Sequence, residues 1–114
     1  MVIRAHGRGD PADGERAVLV ERVTISALQQ MKREGRKIVG LVVYDYPTAQ
    51  LADRAGVDLV SVGDSVGANL WGHSTEGEVT LEELLIACKA VRRGAKRALV
   101  SCDIAAGQVD AGID

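Results

Sequence analysis

The sequence predicts an α/β protein built on parallel strands, and three observations lead there. Short apolar runs rich in Val, Leu and Ile recur at residues 37–45, 57–64 and 97–103. Between them lie stretches whose apolar residues repeat at helical spacing. The 114 residues contain no Phe and only 3% aromatic residues, so the core is aliphatic, as suits parallel strands buried on both faces. Strands alternating with helices at this interval become parallel neighbours joined by helical crossovers.

Residues 1–22 read as a flexible leader, because Gly7, Gly9, Pro11 and Gly14 interrupt any periodicity. Thr24 caps a first helix carrying Ile25, Leu28 and Met31 on one stripe; Gly35 stops it, and Lys32 and Arg33 favour its negative end. The strand Lys37–Asp45 follows. Pro47 suits the first turn of the next helix, where its missing N–H costs nothing, and Ala49, Leu51, Ala52 and Ala55 carry that helix to Gly56. A second buried strand spans Val57–Asp64, and a glycine-containing loop runs from Ser65 to about Val79, with Trp71 packed beneath it. Thr80-Leu81-Glu82-Glu83 has the pattern of a capping box. Leu81, Leu84, Leu85, Cys88 and Val91 then line the buried face of a helix ended by Gly94. Arg97–Asp103 is the third strand, and residues beyond it show no pattern.

Composition narrows the function. Hydrophobic residues make up 46% and charged residues 26%, as in ordinary soluble domains. Fourteen basic against sixteen acidic residues give a net charge of -2, which offers no basic face to nucleic acid. No apolar run approaches the roughly 20 residues of a membrane span. The charged, glycine-rich start lacks the apolar stretch of a signal peptide, so the cytoplasm is the expected compartment. Cys88 and Cys102 lack metal or redox spacing and read as small buried hydrophobes.

All three predicted strands end in aspartate: Asp45, Asp64 and Asp103. In parallel α/β architectures the carboxyl ends of the strands form the rim where ligands bind. Carboxylates converging there repel unless a cation or substrate offsets the charge, and hard oxygen donors suit Mg²⁺ better than zinc. Asp also caps helices and opens turns, so position alone leaves cap and ligand both open. In Gly63-Asp64-Ser65-Val66-Gly67 the glycines permit close backbone approach, and Ser65 offers a hydroxyl and an amide to an anion. It is neither a P-loop nor a dinucleotide fingerprint. His73 lies in the same loop without a local acid partner and reads as structural; Glu76 and Glu78 read as solvated.

Several segments together resemble the ketopantoate hydroxymethyltransferase family. Leu28-Gln29-Gln30-Met31-Lys32-Arg33-Glu34-Gly35 resembles its opening helix, and Tyr44-Asp45-Tyr46-Pro47 its first strand end. Val62-Gly63-Asp64-Ser65-Val66-Gly67 resembles its most distinctive signature. Val79-Thr80-Leu81, Ala90-Val91-Arg92-Arg93-Gly94-Ala95 and Asp103 follow in order, so the resemblance covers residues 23–103. It implies that residues 23–114 are the amino-terminal part of a (β/α)8 TIM barrel, holding its first three parallel strands and their crossover helices. It implies transfer of a hydroxymethyl group from 5,10-methylenetetrahydrofolate to 3-methyl-2-oxobutanoate, giving 2-dehydropantoate on the way to pantothenate. Asp64 and Asp103 would ligate Mg²⁺, and Asp64, Ser65 and Asp103 would contact the 2-keto acid. A keto acid can chelate Mg²⁺ through its keto and carboxylate oxygens, which favours loss of the C3 proton. The family commonly assembles into homo-oligomers, which the resemblance carries over to a full-length protein.

Two stretches depart from the family pattern. Ser74-Thr75-Glu76-Gly77-Glu78 stands where the family usually has Asp-Ser-Thr-Leu-Pro, and Ile104-Ala105-Ala106 where it has Leu-Pro-Phe after the third-strand Asp. The family's further metal-site Glu, its substrate Lys and its general-base Glu fall beyond residue 114, so a half-site with no catalytic residue of its own, inactive alone, is expected. Two other readings fit the same residues. One is a Mg²⁺-dependent keto-acid barrel of the isocitrate lyase and phosphoenolpyruvate mutase type, which folate dependence would separate. The other is a small non-enzymatic α/β domain that binds an anion at Ser65.

Overall fold

The computed structural model describes residues 21–110 and 112. The leader therefore lies, up to residue 20, outside the described residues. Their elements run α1 (Ile25–Arg33), β1 (Gly40–Val42), α2 (Tyr46–Ala55), β2 (Leu59–Val62), α3 (Val66–Leu70), a 3-10 turn (Glu76–Glu78), α4 (Leu81–Gly94), β3 (Leu99–Cys102) and α5 (Ala106–Asp110). The strands form one parallel sheet in the order β1-β2-β3. The α/β class with parallel strands stands as expected.

Local chemistry sets most helix ends. Thr24 Oγ1 accepts from Ala27 N at 3.0 Å, and Gly35 leaves α1 with φ 71°, a left-handed conformation that glycine adopts without a Cβ clash. Gly56 does the same for α2 at φ 88°. At α4 the Thr80 hydroxyl accepts from Glu83 N at 3.1 Å while Glu83 Oε1 accepts from Thr80 N at 2.9 Å, so the capping box forms. Glu82 and Glu83 open α4 and Arg92 and Arg93 close it, complementing its dipole.

The helix α2 packs on α4, and both cover the sheet face that carries Val60 and Val62. Their contact is close because Gly94 has no side chain: a Cβ there would lie 2.7 Å from the Tyr46 carbonyl oxygen and 2.8 Å from Ala49 Cβ. Gly94 is thus the last residue of α4 and a packing point rather than its stop, since Ala95 caps the helix. Ala49, Ala52, Leu84, Ala87 and Val91 meet the strands in one core. Burying a side chain such as Leu84 completely stabilises the fold by about 1.5–3 kcal/mol.

Several expectations are corrected. The first strand is Gly40–Val42 rather than Lys37–Asp45, and it is exposed, Leu41 at 47% and Val42 at 58%. Among the described residues it lies at the sheet edge with β2 as its one neighbour, and before it Val39 N donates to Asp58 Oδ2 at 3.0 Å. Only Met31 of the α1 stripe is buried. The stretch from Ser65 to Val79 is not an open loop, because α3 begins at Val66. Trp71 is exposed rather than packed beneath it, as is Leu85 of α4. The patternless tail contains α5.

A carboxylate that the sequence did not single out holds the ends together. Asp53 of α2 is buried, and its oxygens accept from Lys96 N at 3.0 Å, Arg97 N at 3.1 Å and Ala98 N at 2.8 Å, just before β3. Buried carboxylates are tolerated where several donors satisfy them. Asp58 pairs with Arg97 at 3.7 Å, and Arg97 also donates to the Val57 carbonyl at 3.1 Å. Both clamps sit at the amino ends of β2 and β3. The carboxyl ends stay free for other chemistry.

Candidate functional site

Three chain segments leave the carboxyl ends of the strands side by side: Tyr44-Asp45 after β1, Gly63-Asp64-Ser65 after β2 and Asp103 after β3. The ladder continues past the strands, since Val43 N donates to the Ser61 carbonyl and Asp103 N to the Val62 carbonyl, each at 2.9 Å. Register pairs Val42, Ser61 and Ser101 across the sheet, and Ser101 Oγ donates to Ser61 Oγ at 2.9 Å. These residues face away from the helices.

The site centres on Gly63. A Cβ built there would lie 3.1 Å from Ser65 Oγ, 3.6 Å from Asp103 Oδ2 and 3.7 Å from Val42 Cγ1. The hydroxyl and the carboxylate therefore converge over a position that only glycine leaves open. Asp64 lies between Gly63 and Ser65 in the same turn and is half-buried. Among the described residues, no hydrogen bond or ion pair engages the side chain of Asp64 or Asp103. Two hard oxygen donors without a protein partner suit a cation such as Mg²⁺ in kind, leaving most of an octahedral shell to water and a bound ligand. No cluster of three or more His, Cys, Asp or Glu that could hold a metal occurs among the described residues.

Asp45 is the reason that three carboxylates do not converge. Its Oδ1 accepts from Thr48 N at 2.8 Å and caps α2, with Pro47 in the first turn. Of the two roles open to strand-end aspartates, Asp45 takes the cap. The clue was present in the sequence, because an Asp two residues before a first-turn proline is placed to be the N-cap.

Ser65 is held from behind. Tyr44 Oη and Ser65 Oγ are 2.7 Å apart, and Asn69 Nδ2 of α3 donates to Tyr44 Oη at 2.9 Å. On the other side of α3, the His73 ring lies against Gly67, where a Cβ would come within 2.3 Å of Nδ1, and His73 N donates to the Gly67 carbonyl at 2.9 Å. His73 has no acid partner close by in the sequence, but the fold supplies one: its Nε2 is 3.8 Å from Glu83 Oε2. That acid comes from α4, ten residues on. His73 Nδ1 is buried without a hydrogen-bond partner among the described residues. Glu76 and Glu78 are exposed as expected, with Glu78 Oε2 accepting from Ser74 N at 3.3 Å.

The Glu83 carboxyl is held below its ordinary 4.5, first by the Thr80 backbone hydrogen bond and also by the Thr80 hydroxyl and by His73. A depressed carboxyl contributes its stability above the ordinary value and loses it as pH falls through the folded one. Acidification below pH 4.5 is therefore expected to open the cap and the His73 contact together. Hydrogen exchange at the Thr80 amide, taken relative to the intrinsic rate at each pH, checks this: protection should fall at low pH in the native chain and change much less with pH in Glu83→Gln.

A cleft of about 520 Å³ lies elsewhere, between α4 and β3, lined by Val23, Leu85, Cys88, Leu99 and Val100 together with Arg22, Lys89, Arg92 and Arg93. It does not reach the strand-end carboxylates. Cys88 borders it, and Cys102 packs against the same core; burial first, then the neighbouring Cys88, pushes the Cys102 thiol up to about 11. Both cysteines act as packing residues, as expected.

Comparison with known proteins places most of this chain beside one enzyme family. The ketopantoate hydroxymethyltransferase family matches residues 22–114. The 3-methyl-2-oxobutanoate hydroxymethyltransferase of Trichodesmium erythraeum is 52% identical over 82 residues, 72% of this chain and 31% of that protein. That of Carboxydothermus hydrogenoformans is 45% identical over 85 residues, 75% of this chain and 31% of its own length. The mitochondrial 3-methyl-2-oxobutanoate hydroxymethyltransferase 1 of Arabidopsis thaliana is 44% identical over 87 residues, 76% of this chain and 25% of its own. The chain thus spans under a third of the length of these relatives. Within that span, the chain belongs to the ketopantoate hydroxymethyltransferase family.

Proposed function

We propose that residues 23–114 form the first part of a (β/α)8 barrel that transfers a hydroxymethyl group from 5,10-methylenetetrahydrofolate to 3-methyl-2-oxobutanoate, giving 2-dehydropantoate. The observation that carries this reading is the convergence of Ser65 Oγ and Asp103 Oδ2 over Gly63, with Asp64 in the same turn. Asp64 and Asp103 are the candidate ligands of a Mg²⁺, and the names of the relatives suggest the keto acid. Ser65 would donate its hydroxyl proton to a carboxylate or keto oxygen of that acid, orienting it without covalent attack. When bound, Mg²⁺ supplies Lewis-acid polarisation of the keto group. Asp103 and Ser65 then fix which face of the acid meets the rim. None of these residues removes the C3 proton, so the base is assigned to the portion that the relatives carry beyond this span.

The parallel sheet and the strand-end site favour the barrel over a complete small domain, because Val42 and Ser101, on the sheet face turned from α2 and α4, are exposed among the described residues. No helix among the described residues is long and apolar enough to cross a membrane. The cytoplasm is the compartment proposed. A full-length protein is proposed to assemble as a homo-oligomer.

In a protein of the relatives' full length, Asp103→Asn is expected to lower kcat/KM for folate-dependent 2-dehydropantoate formation on the order of 100-fold, as befits loss of a charged metal ligand. Ser65→Ala should act chiefly on the keto-acid KM. Turnover within about twofold of the parent enzyme for Asp103→Asn would sink the assignment.

A further inference from the structure

We infer that Tyr44 and Asn69 are positioning residues that fix Ser65 as a hydrogen-bond donor, so that the ligand atom opposite Ser65 must be an acceptor oxygen. The ligand half of this inference rests on the keto-acid reading of the site. The order of donors does not.

The argument is one of proton counting. A side-chain amide nitrogen has hydrogens to give and no lone pair to accept with, so Asn69 Nδ2, 2.9 Å from Tyr44 Oη, can only donate there. Tyr44 Oη then accepts from Asn69 and has one proton left. Its other partner is Ser65 Oγ at 2.7 Å, a normal separation for one O–H···O bond. Tyr44 gives that proton to Ser65, and the Ser65 oxygen accepts it. The Ser65 proton is left over and turns to the side of Gly63 and Asp103, where the open position lies. The chain therefore runs from the Asn69 amide through the Tyr44 hydroxyl to the Ser65 hydroxyl and on to the ligand, each bond polarising the next. A hydroxyl left to rotate freely would offer a ligand its proton or its lone pair alike. Held in this way, Ser65 selects carboxylate or carbonyl oxygen over an ammonium or amide donor.

The same counting predicts how to reverse it. In Asn69→Asp the carboxylate can only accept, so Tyr44 gives its proton to residue 69. Tyr44 Oη then becomes an acceptor for Ser65, whose proton turns away from the site.

The test uses the 114-residue chain labelled with ¹⁵N. A cross-peak between an Asn69 Nδ2 proton and the Tyr44 hydroxyl is expected, with the Nδ2 shift moving in Tyr44→Phe; its absence overturns the inference whatever a ligand does. Sodium 3-methyl-2-oxobutanoate with MgCl₂ is then titrated into a protein of the relatives' full length, parent and variants, while the Ser65 amide is followed. Asn69→Asp should weaken binding about tenfold or more, the range for a lost bond to a charged group. Charge repulsion alone could do that, so the double variant Tyr44→Phe/Asn69→Asp decides. With no phenol to capture the Ser65 proton, it should regain several-fold in affinity, whereas repulsion by the introduced carboxylate would persist unchanged. Equal affinities for Asn69→Asp with and without Tyr44→Phe overturn the donor assignment. No binding by the full-length parent, with the cross-peak present, contradicts the keto-acid reading and leaves the Asn69-to-Tyr44 bond standing.

Discussion

Asp53→Ala is expected to cost about 3 kcal/mol or more of folding stability, among the largest losses available from one substitution in this chain. Its carboxylate accepts from the backbone amides of Lys96, Arg97 and Ala98, and Ala98 is buried, its N–H given to Asp53 Oδ1. Removing the acceptor orphans a buried donor, which costs roughly 1–3 kcal/mol, and loosens two less buried ones besides. Domains of this size hold about 5–15 kcal/mol in total. Asp53→Asn keeps one acceptor oxygen and should lose about half as much. Urea unfolding followed by far-ultraviolet circular dichroism measures both; a loss under about 1 kcal/mol for Asp53→Ala would show that the three amides find other partners.

Gly94→Ala is expected to destabilise the chain although alanine favours helices. Alanine inside a helix gains up to about 1 kcal/mol over glycine. Here its methyl would sit 2.7 Å from the Tyr46 carbonyl oxygen and 2.8 Å from Ala49 Cβ, both fixed parts of α2. Neither can swing aside as the end of a long side chain could, so α2 and α4 must separate. Overpacking of that kind costs typically about 1–3 kcal/mol, leaving a net loss. The movement also reaches the site, because the N-terminus of α2 follows directly on Tyr44 and Asp45. Gly94→Ala should therefore lower the melting temperature and shift the Tyr44 and Ser65 amide resonances together. A variant more stable than the parent would show that the helices part without penalty.

What could be read from the sequence was what neighbours along the chain decide. The caps at Thr24 and Thr80 and the turns at Gly35 and Gly56 depend on residues within four positions, and each forms as expected. The parallel order was legible because continuous apolar runs alternated with helical spacing. The extent of β1 was not, since Lys37–Asp45 has the composition of a buried strand and only its place at the sheet edge exposes it. The helix α3 is too short to show a period. Asp53 bonds residues 43 to 45 positions away, so its partners are invisible locally. Its place four residues after the buried Ala49, on the apolar face of α2, was the one local sign of a satisfied buried carboxylate. At the site, Ser65, Asp64 and Asp103 were found by their strand-end positions and the family resemblance. Tyr44 and Asn69 were missed because one follows β1 and the other lies in α3, and only the fold brings them to Ser65.

The most direct test of the central claim, that Asp64, Ser65 and Asp103 form one metal-assisted keto-acid site, is a linked calorimetric titration in a protein of the relatives' full length. Binding of 3-methyl-2-oxobutanoate is measured with and without MgCl₂, in the parent and in Asp64→Asn. If both ligands share the site, each must strengthen the other by the same factor. The expected result is an increase of about tenfold or more in keto-acid affinity on adding Mg²⁺, and its loss in Asp64→Asn. Keto-acid affinity indifferent to Mg²⁺, or coupling that survives Asp64→Asn unchanged, would contradict the account.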